Sequence, residues 1–211
     1  MARWRLHLFG GLSLESDGAS IDQFPTKRSA TILARLATSR NGTVSRDELA
    51  EELWPEDYLD TTRMRLRQEL SRLRAALGDA KDVVDADRTW VRLDLDSVLV
   101  DCREFDRLLR LAEHAPQSER RVELTGQACD LYRGPLLPEL TDHWVFAARS
   151  DYREKLESSL NRAIDGLEAD DKPDEALQWA GRAVRMSPGA EAFVVRLARL
   201  QMALGNLGQA S

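Results

Sequence analysis

Cysteine and histidine are scarce in this chain of 211 residues: two cysteines, Cys102 and Cys129, and three histidines, His7, His114 and His143. The cysteines have no CxxC spacing and the histidines are scattered, which argues against a disulfide framework and against a metal site. Long apolar runs are also missing, and none approaches the roughly 20 residues that a membrane span needs. The start, Met1-Ala2-Arg3-Trp4-Arg5-Leu6-His7, alternates in character and lacks the apolar block of a signal peptide. A cytoplasmic protein is expected. There is no Gly-rich phosphate loop, no nucleophile elbow and no HExxH, and the acids are dispersed over helix surfaces. The expectation is a protein with no catalytic residues, no cofactor and no metal.

An excess of positive charge is missing too. Thirty Lys and Arg face 36 Asp and Glu, for a net charge of −6. That total does not exclude nucleic acid, because affinity depends on where the positive charge sits. Within residues 61–77 stand Arg63, Arg65, Arg67, Arg72 and Arg74 against a single acid, Glu69.

What is present is a change of hydrophobic period. Over residues 3–24 Leu6 and Leu8 alternate with Arg5 and His7, and Leu12 and Leu14 with Ser13 and Glu15, which reads as strands of a small antiparallel sheet. Gly10-Gly11 breaks the run, and Asp17-Gly18 is a hairpin-type turn. From Lys27 the period becomes helical, with Ala30, Leu33, Leu36 and Ala37 on one face and Asn41-Gly42 as the stop. Ser45-Arg46-Asp47-Glu48 is a capping box that opens a helix burying Leu49 and Leu53, and Trp54-Pro55 closes it. After the acidic loop Glu56–Asp60, Asp60 or Thr61 caps a long helix to Leu77, stopped by Gly78. Leu66, Leu70, Leu73 and Leu77 form its stripe. Val83-Val84 and Thr89–Leu93 flank a polar turn and read as a hairpin. Sheet, helix, helix-turn-helix and hairpin make a winged helix-turn-helix, in which the second helix enters the major groove.

From Asp101 onward the pattern is helical throughout. Phe105, Leu108, Leu109 and Ala112 form one face and Val122, Leu124, Ala128 and Leu131 a second. Tyr132–Pro138 breaks the pattern, and a long helix follows from about Asp142 to Glu168. Glu175-Ala176 recurs as Gln209-Ala210, 34 positions on, with Gly205-Asn206 before the second copy as Asp171-Lys172-Pro173 is before the first. That is tetratricopeptide spacing. The chain stops inside the second unit, which reads as the front part of a longer protein. The predicted fold is mainly α with a small β component: a winged helix-turn-helix over 1–100 (antiparallel sheet, three helices, β-hairpin wing), then an all-α tetratricopeptide-like domain over 101–211.

Function is carried by the helix over 61–77. At 100° per residue, the side opposite the leucine stripe presents Ser71, Met64, Ala75, Gln68, Arg72 and Arg65, with Arg67 at its border. Arg pairs with guanine, Gln with adenine, and Ala leaves room for a thymine methyl. A solvated surface usually mixes charge signs, whereas this one holds one acid. Candidate DNA contacts are Arg63, Arg65, Arg67, Gln68, Ser71 and Arg72. Ser45 and Arg46 at the start of the preceding helix can offer backbone donors to a phosphate. Arg88, with Thr89 and Trp90, is placed on the wing, where an arginine suits the minor groove. Trp54 is a further candidate through its indole N–H, with core packing as the alternative.

Here the chain resembles a known family. Leu8-Phe9-Gly10, Val44–Leu49, Leu53-Trp54-Pro55, Leu70–Arg74 and Leu77-Gly78 are similar to the OmpR-type winged helix of the Streptomyces antibiotic regulatory protein (SARP) family. Val100-Asp101 with Phe105, Leu131–Gly134 with Leu136-Leu137, Trp144 and Arg149 resemble the bacterial transcriptional activation domain (BTAD) that follows it. The resemblance implies a transcriptional activator of double-stranded DNA that binds direct repeats as a head-to-tail homodimer and recruits RNA polymerase. It also implies that the acidic loop Glu56–Asp60 touches polymerase. Arg65 stands where the family usually has Asn, and Thr89-Trp90 where its wing carries Gly-Tyr. The alternative reading is a protein-interaction scaffold in which winged helix and helical repeats bind protein partners.

Overall fold

The computed structural model describes residues 4–16 and 18–209. Arg3, where the strand reading begins, Asp17 of the expected turn and Ala210 of the expected second repeat copy lie outside the described residues. The chain divides into two compact units. The first takes the residues up to Glu104 together with Leu137–Thr141, and the second takes Phe105–Leu136 and the chain from Asp142 onward.

In the first unit, β1 (Trp4–His7) pairs antiparallel with β2 (Ser13–Ser16), and β2 with β3 (Ala19–Ile21). Leu6 stands opposite Leu14, and both are fully buried, as the alternation requires. The helices are α1 (Lys27–Thr38), α2 (Arg46–Leu53) and α3 (Leu59–Leu77), with β4 (Thr43–Ser45) between α1 and α2. Then come β5 (Val84–Ala86), β6 (Trp90–Leu93) and β7 (Val98–Val100).

Two strands were not expected. β7 joins β1 in parallel, Leu6 against Val100, so the N-terminal sheet is mixed and not purely antiparallel. β4 pairs with β6 and makes the wing a three-stranded sheet in the order β4-β6-β5. Each unexpected strand has three residues, too few to display a period of two.

The helix ends also differ. α1 stops at Thr38 with Ser39 as its cap, and Gly42 instead adopts φ +69° at the turn into β4. Arg103 donates to the carbonyls of Ser39 and Arg40 that follow the helix. α3 starts at Leu59, ahead of the expected Asp60 or Thr61, because the backbone carbonyl of Tyr58 accepts the first amides, Thr61 at 3.0 Å and Thr62 at 3.1 Å.

Three constraints place α3. Leu66, Leu70, Leu73 and Leu77 are all buried, each contributing about 1.5–3 kcal/mol. Gly78 ends the helix at φ +54°. The third is Glu69, only 5 % exposed, whose carboxylate accepts from Thr26 Oγ1 at 2.6 Å, Ser29 Oγ at 2.9 Å and Arg72 Nη1 at 2.7 Å. Thr26 is also the N-cap of α1, accepting from the Ser29 amide. Burial alone would raise the Glu69 pKa; the two hydroxyls and Arg72 outweigh it and hold the group below its ordinary value.

Four hydrogen bonds fasten the segment after β1. The amides of Leu8 and Phe9 donate to Asp101 Oδ2 at 2.9 and 3.0 Å. The amide of Leu137 donates to the Leu8 carbonyl at 2.8 Å, and the amide of Leu12 donates to Glu139 Oε1 at 2.9 Å.

The second unit is helical: α4 (Asp101–His114, from Phe105 onward), α5 (Ser118–Leu131), α6 (His143–Ala169), α7 (Pro173–Met186) and α8 (Glu191–Gln209). From α5 each helix packs on the next in sequence, as in helical repeats. Phe105 meets Tyr132 and Tyr152 at ring distances of 6.1 and 5.9 Å. The buried face of α5 is Leu124, Thr125, Ala128 and Cys129, rotated from the expected one: Thr125 takes a core position by hydrogen bonding Ser159 at 3.1 Å, and Val122 and Leu131 are half-buried. Burial pushes the Cys129 thiol up to about 11. α8 runs through Gly205-Asn206, since a glycine costs a helix only about 1 kcal/mol. No helix among the described residues is long and apolar enough to cross a membrane.

Two predictions follow from these packing constraints. Glu69→Ala should lower stability by about 1.5–3 kcal/mol in urea titration, the range for hydrogen bonds to a charged group. Because the folded-state pKa of Glu69 is depressed, its contribution is present above the unfolded value and lost as pH falls through the folded one. Glu69→Gln should therefore flatten the loss of stability on acidification. At Gly42 an added Cβ would lie 2.9 Å from the Leu93 carbonyl oxygen, with φ in the left-handed region. Gly42→Ala should cost about 1–3 kcal/mol, read from the same titration.

Candidate nucleic-acid interface

α2, α3 and the wing enclose a groove of about 1000 Å³. Its construction begins at Ser45, whose hydroxyl accepts from the Glu48 amide at 3.1 Å and caps α2. The next residue stitches α2 to the wing: the Arg46 amide donates to the Thr89 carbonyl at 2.8 Å and its Nη1 to the Asp87 carbonyl at 3.2 Å. On the far wall, Arg74 Nε donates to the Val84 carbonyl at 3.0 Å and ties the last turn of α3 to β5.

The wing tip is held by Asp87. Its Oδ1 accepts from the amides of Thr89 at 2.7 Å and Trp90 at 2.8 Å, and Arg92 pairs with Oδ2 at 2.7 Å. Those two backbone bonds first, and then Arg92, lower its pKa to about 2. Arg88 stands at this tip and is exposed.

Positive charge is concentrated here. Burial, then the guanidiniums of Arg67 and Arg74, lower the pKa of Arg46. Like charges gathered around one groove favour an anion within it. Among the described residues neither Arg67 nor Arg88 has a hydrogen-bond or ion-pair partner. Arg63, by contrast, pairs with Asp47.

Seven of the expected site residues line the groove: Ser45, Arg46, Arg63, Arg67, Ser71, Arg88 and Thr89. Five do not. Arg65 pairs with Asp57, and Arg72 with Glu69 at 2.7 Å. Gln68 is exposed on α3 outside the groove, and Trp90 is 42 % exposed on β6. Trp54 is buried, with the Arg28 guanidinium 5.3 Å from its ring centroid, so it packs in the core of this unit.

The sequence reading missed Arg74, Asp47 and Asp87. Relative to Leu66, Arg63, Arg74, Arg67 and Ser71 fall at about 60°, 80°, 100° and 140° around α3. The groove thus uses the flank beside the leucine stripe, where the wing stands, and not the pole opposite it. Arg74 was detectable from its spacing of seven from Arg67, one flank two turns on.

A helix-turn-helix whose second helix and wing enclose a guanidinium-lined groove is joined in one chain to a module of sequentially packed helices. Residues 24–89 match the family described as "Transcriptional regulatory protein, C terminal", and residues 100–210 match the "Bacterial transcriptional activator domain". The chain belongs to the bacterial transcriptional activator domain family, in the arrangement with an OmpR-type winged helix found in SARP regulators. Among solved structures it is similar to Mycobacterium tuberculosis EmbR, determined in complex with a low-affinity phosphopeptide, with a TM-score of 0.73 and 22 % identity. The likeness covers 95 % of this chain and 55 % of that one, so this chain spans about half the length of EmbR. No curated protein matches the chain.

The wing-tip geometry makes a prediction. Asp87→Ala should speed hydrogen exchange at the Thr89 and Trp90 amides while leaving the α3 core amides protected. In the parent protein the same acceleration should appear only as pH falls towards 2, since a depressed carboxylate keeps its bonds until it is protonated.

Proposed function

We propose that the chain is a sequence-specific DNA-binding transcriptional activator. α3 enters the major groove, the wing reaches the neighbouring backbone or minor groove, and the helical unit serves activation. The observation that carries this reading is the clustering of Arg46, Arg67, Arg74 and Arg88 around one groove in a chain whose net charge is −6. Phosphates supply most of the affinity of such a surface, and base edges supply the sequence preference. The DNA contacts are assigned to Arg63, Arg67 and Ser71 on α3, Ser45 and Arg46 at the start of α2, and Arg88 and Thr89 on the wing. The operator is a direct repeat bound by head-to-tail copies. The loop after α2, where Tyr58 is 89 % exposed beside Glu56 and Asp57, is assigned to RNA polymerase.

A protein-scaffold reading is favoured by one observation: α8 exposes Val194, Val195 and Met202 at 50, 68 and 64 %. Selection from a pool of random duplex DNA, with affinities repeated at two salt concentrations, separates the two. The activator reading expects an enriched direct repeat and affinity that falls steeply with salt. Arg67→Ala should weaken binding to selected and shuffled duplexes alike and reduce the salt slope by about one. Binding that is absent, or insensitive to salt, would move the assignment to the scaffold.

A further inference from the structure

An acid stands at the tip of the wing. Asp87 lines the groove and precedes Arg88 in the chain. A free carboxylate there would repel phosphate, so what it holds matters. Beyond the last pair of the hairpin, Ala86 with Val91, residues 87–90 close the tip. The Asp87 amide donates to the Trp90 carbonyl at 3.0 Å. The Asp87 carboxylate accepts the Thr89 and Trp90 amides on one oxygen and pairs with Arg92 on the other, an Asx turn closed by an ion pair. The charge that would repel DNA is taken up within the wing.

Arg46 holds the same tip from α2. Its amide donates to the Thr89 carbonyl and its Nη1 to the Asp87 carbonyl, the carbonyls of the two residues that flank Arg88. The main chain on both sides of Arg88 is therefore tied to the wing and to α2 alike. Of the two charged tip residues, Asp87 is used up in these bonds. Arg88 is exposed and, among the described residues, has no hydrogen-bond or ion-pair partner. The minor groove of DNA is about 6 Å wide, room for one side chain where a two-stranded hairpin does not fit. A guanidinium carried on a tip that is already ordered gives up little main-chain freedom on entering it. The attraction is greatest where A·T-rich sequence narrows the groove and deepens its negative potential.

We propose that Asp87 is a positioning residue: it locks the wing tip so that Arg88 enters the minor groove beside the major-groove site of α3, and the protein thereby prefers a narrow, A·T-rich flank. This rests on the DNA-binding reading above. It assigns a sequence preference to an acidic residue that touches no base.

The test uses the full chain and the duplex enriched from the random pool, with the base pairs on each side of the selected element replaced in turn by an A-tract or a G·C run. The parent should prefer the A-tract on one side by about threefold or more. Arg88→Ala and Asp87→Ala should each bring that ratio close to one, and the double variant should match Arg88→Ala. Asp87→Asn, whose side-chain oxygen can still accept both amides, should keep most of the parent's ratio. Unchanged thermal midpoints separate these outcomes from loss of fold, and Arg88→Ala, a change at an exposed side chain, decides the groove contact whether or not Asp87→Ala folds. The charge works in the opposite direction: removing an acid from this surface would by itself tighten binding to every duplex. An Asp87→Ala protein that keeps the parent's ratio, or that only binds all flanks more tightly, would overturn the proposal. So would a parent with no flank preference, or an Arg88→Ala protein weakened equally on all flanks with a salt slope lower by about one, the signature of a phosphate contact. A parent that binds no duplex in a salt-sensitive way fails before any variant is made, and that result belongs to the DNA-binding reading.

Discussion

The carboxylate of Glu69 decides where the candidate reading helix can stand. A charged oxygen pair withdrawn from water must be matched by donors, and the three it finds come from the first turn of α1 and from α3 itself. The leucine stripe fixes which face of α3 turns inward, but a stripe of similar leucines tolerates sliding and small rotation. Two hydroxyl donors at hydrogen-bond distance do not. The groove inherits its precision from this contact, because Arg63, Arg67 and Ser71 ride on the same helix that Glu69 locks to α1.

The wing is positioned by a second set of polar contacts of the same kind. Arg46, Arg74 and Asp87 are charged residues whose work is partly architectural, joining α2, β5 and the hairpin tip through main-chain partners. In a chain with more acids than bases, much of the positive charge of α3 is spent on carboxylates: Asp47, Asp57 and Glu69 each take one arginine. What remains to attract an anion is a small, local set. The net charge of the whole chain is therefore a poor guide to what this surface binds.

Much of this was legible in the sequence. Leucine spacing gave the buried face of α3, alternation gave β1 and β2, Ser45 marked the start of α2, and Gly78 the end of α3. The parts that were not legible share a cause: they depend on partners distant in the chain. Val98–Val100 is too short to declare itself and becomes a strand only because β1 offers a free edge. Glu69 looks like a solvated acid until Thr26 and Ser29 are brought beneath it. The choice of flank on α3 depends on where the wing lies, which no periodicity within α3 encodes, and this is why Arg74 was passed over and Gln68 was included.

The short segment Leu137–Thr141 has a consequence for inheritance. It belongs to the first unit, although 32 residues of the second unit, Phe105–Leu136, precede it in the chain. Its Leu137 amide and Glu139 carboxylate complete the backbone of Leu8 and Leu12, a stretch whose side chains are almost wholly buried. A recombination event that exchanged everything after Val100 would hand the winged helix a foreign segment in place of these partners. No single crossover point therefore divides the chain between its two compact units.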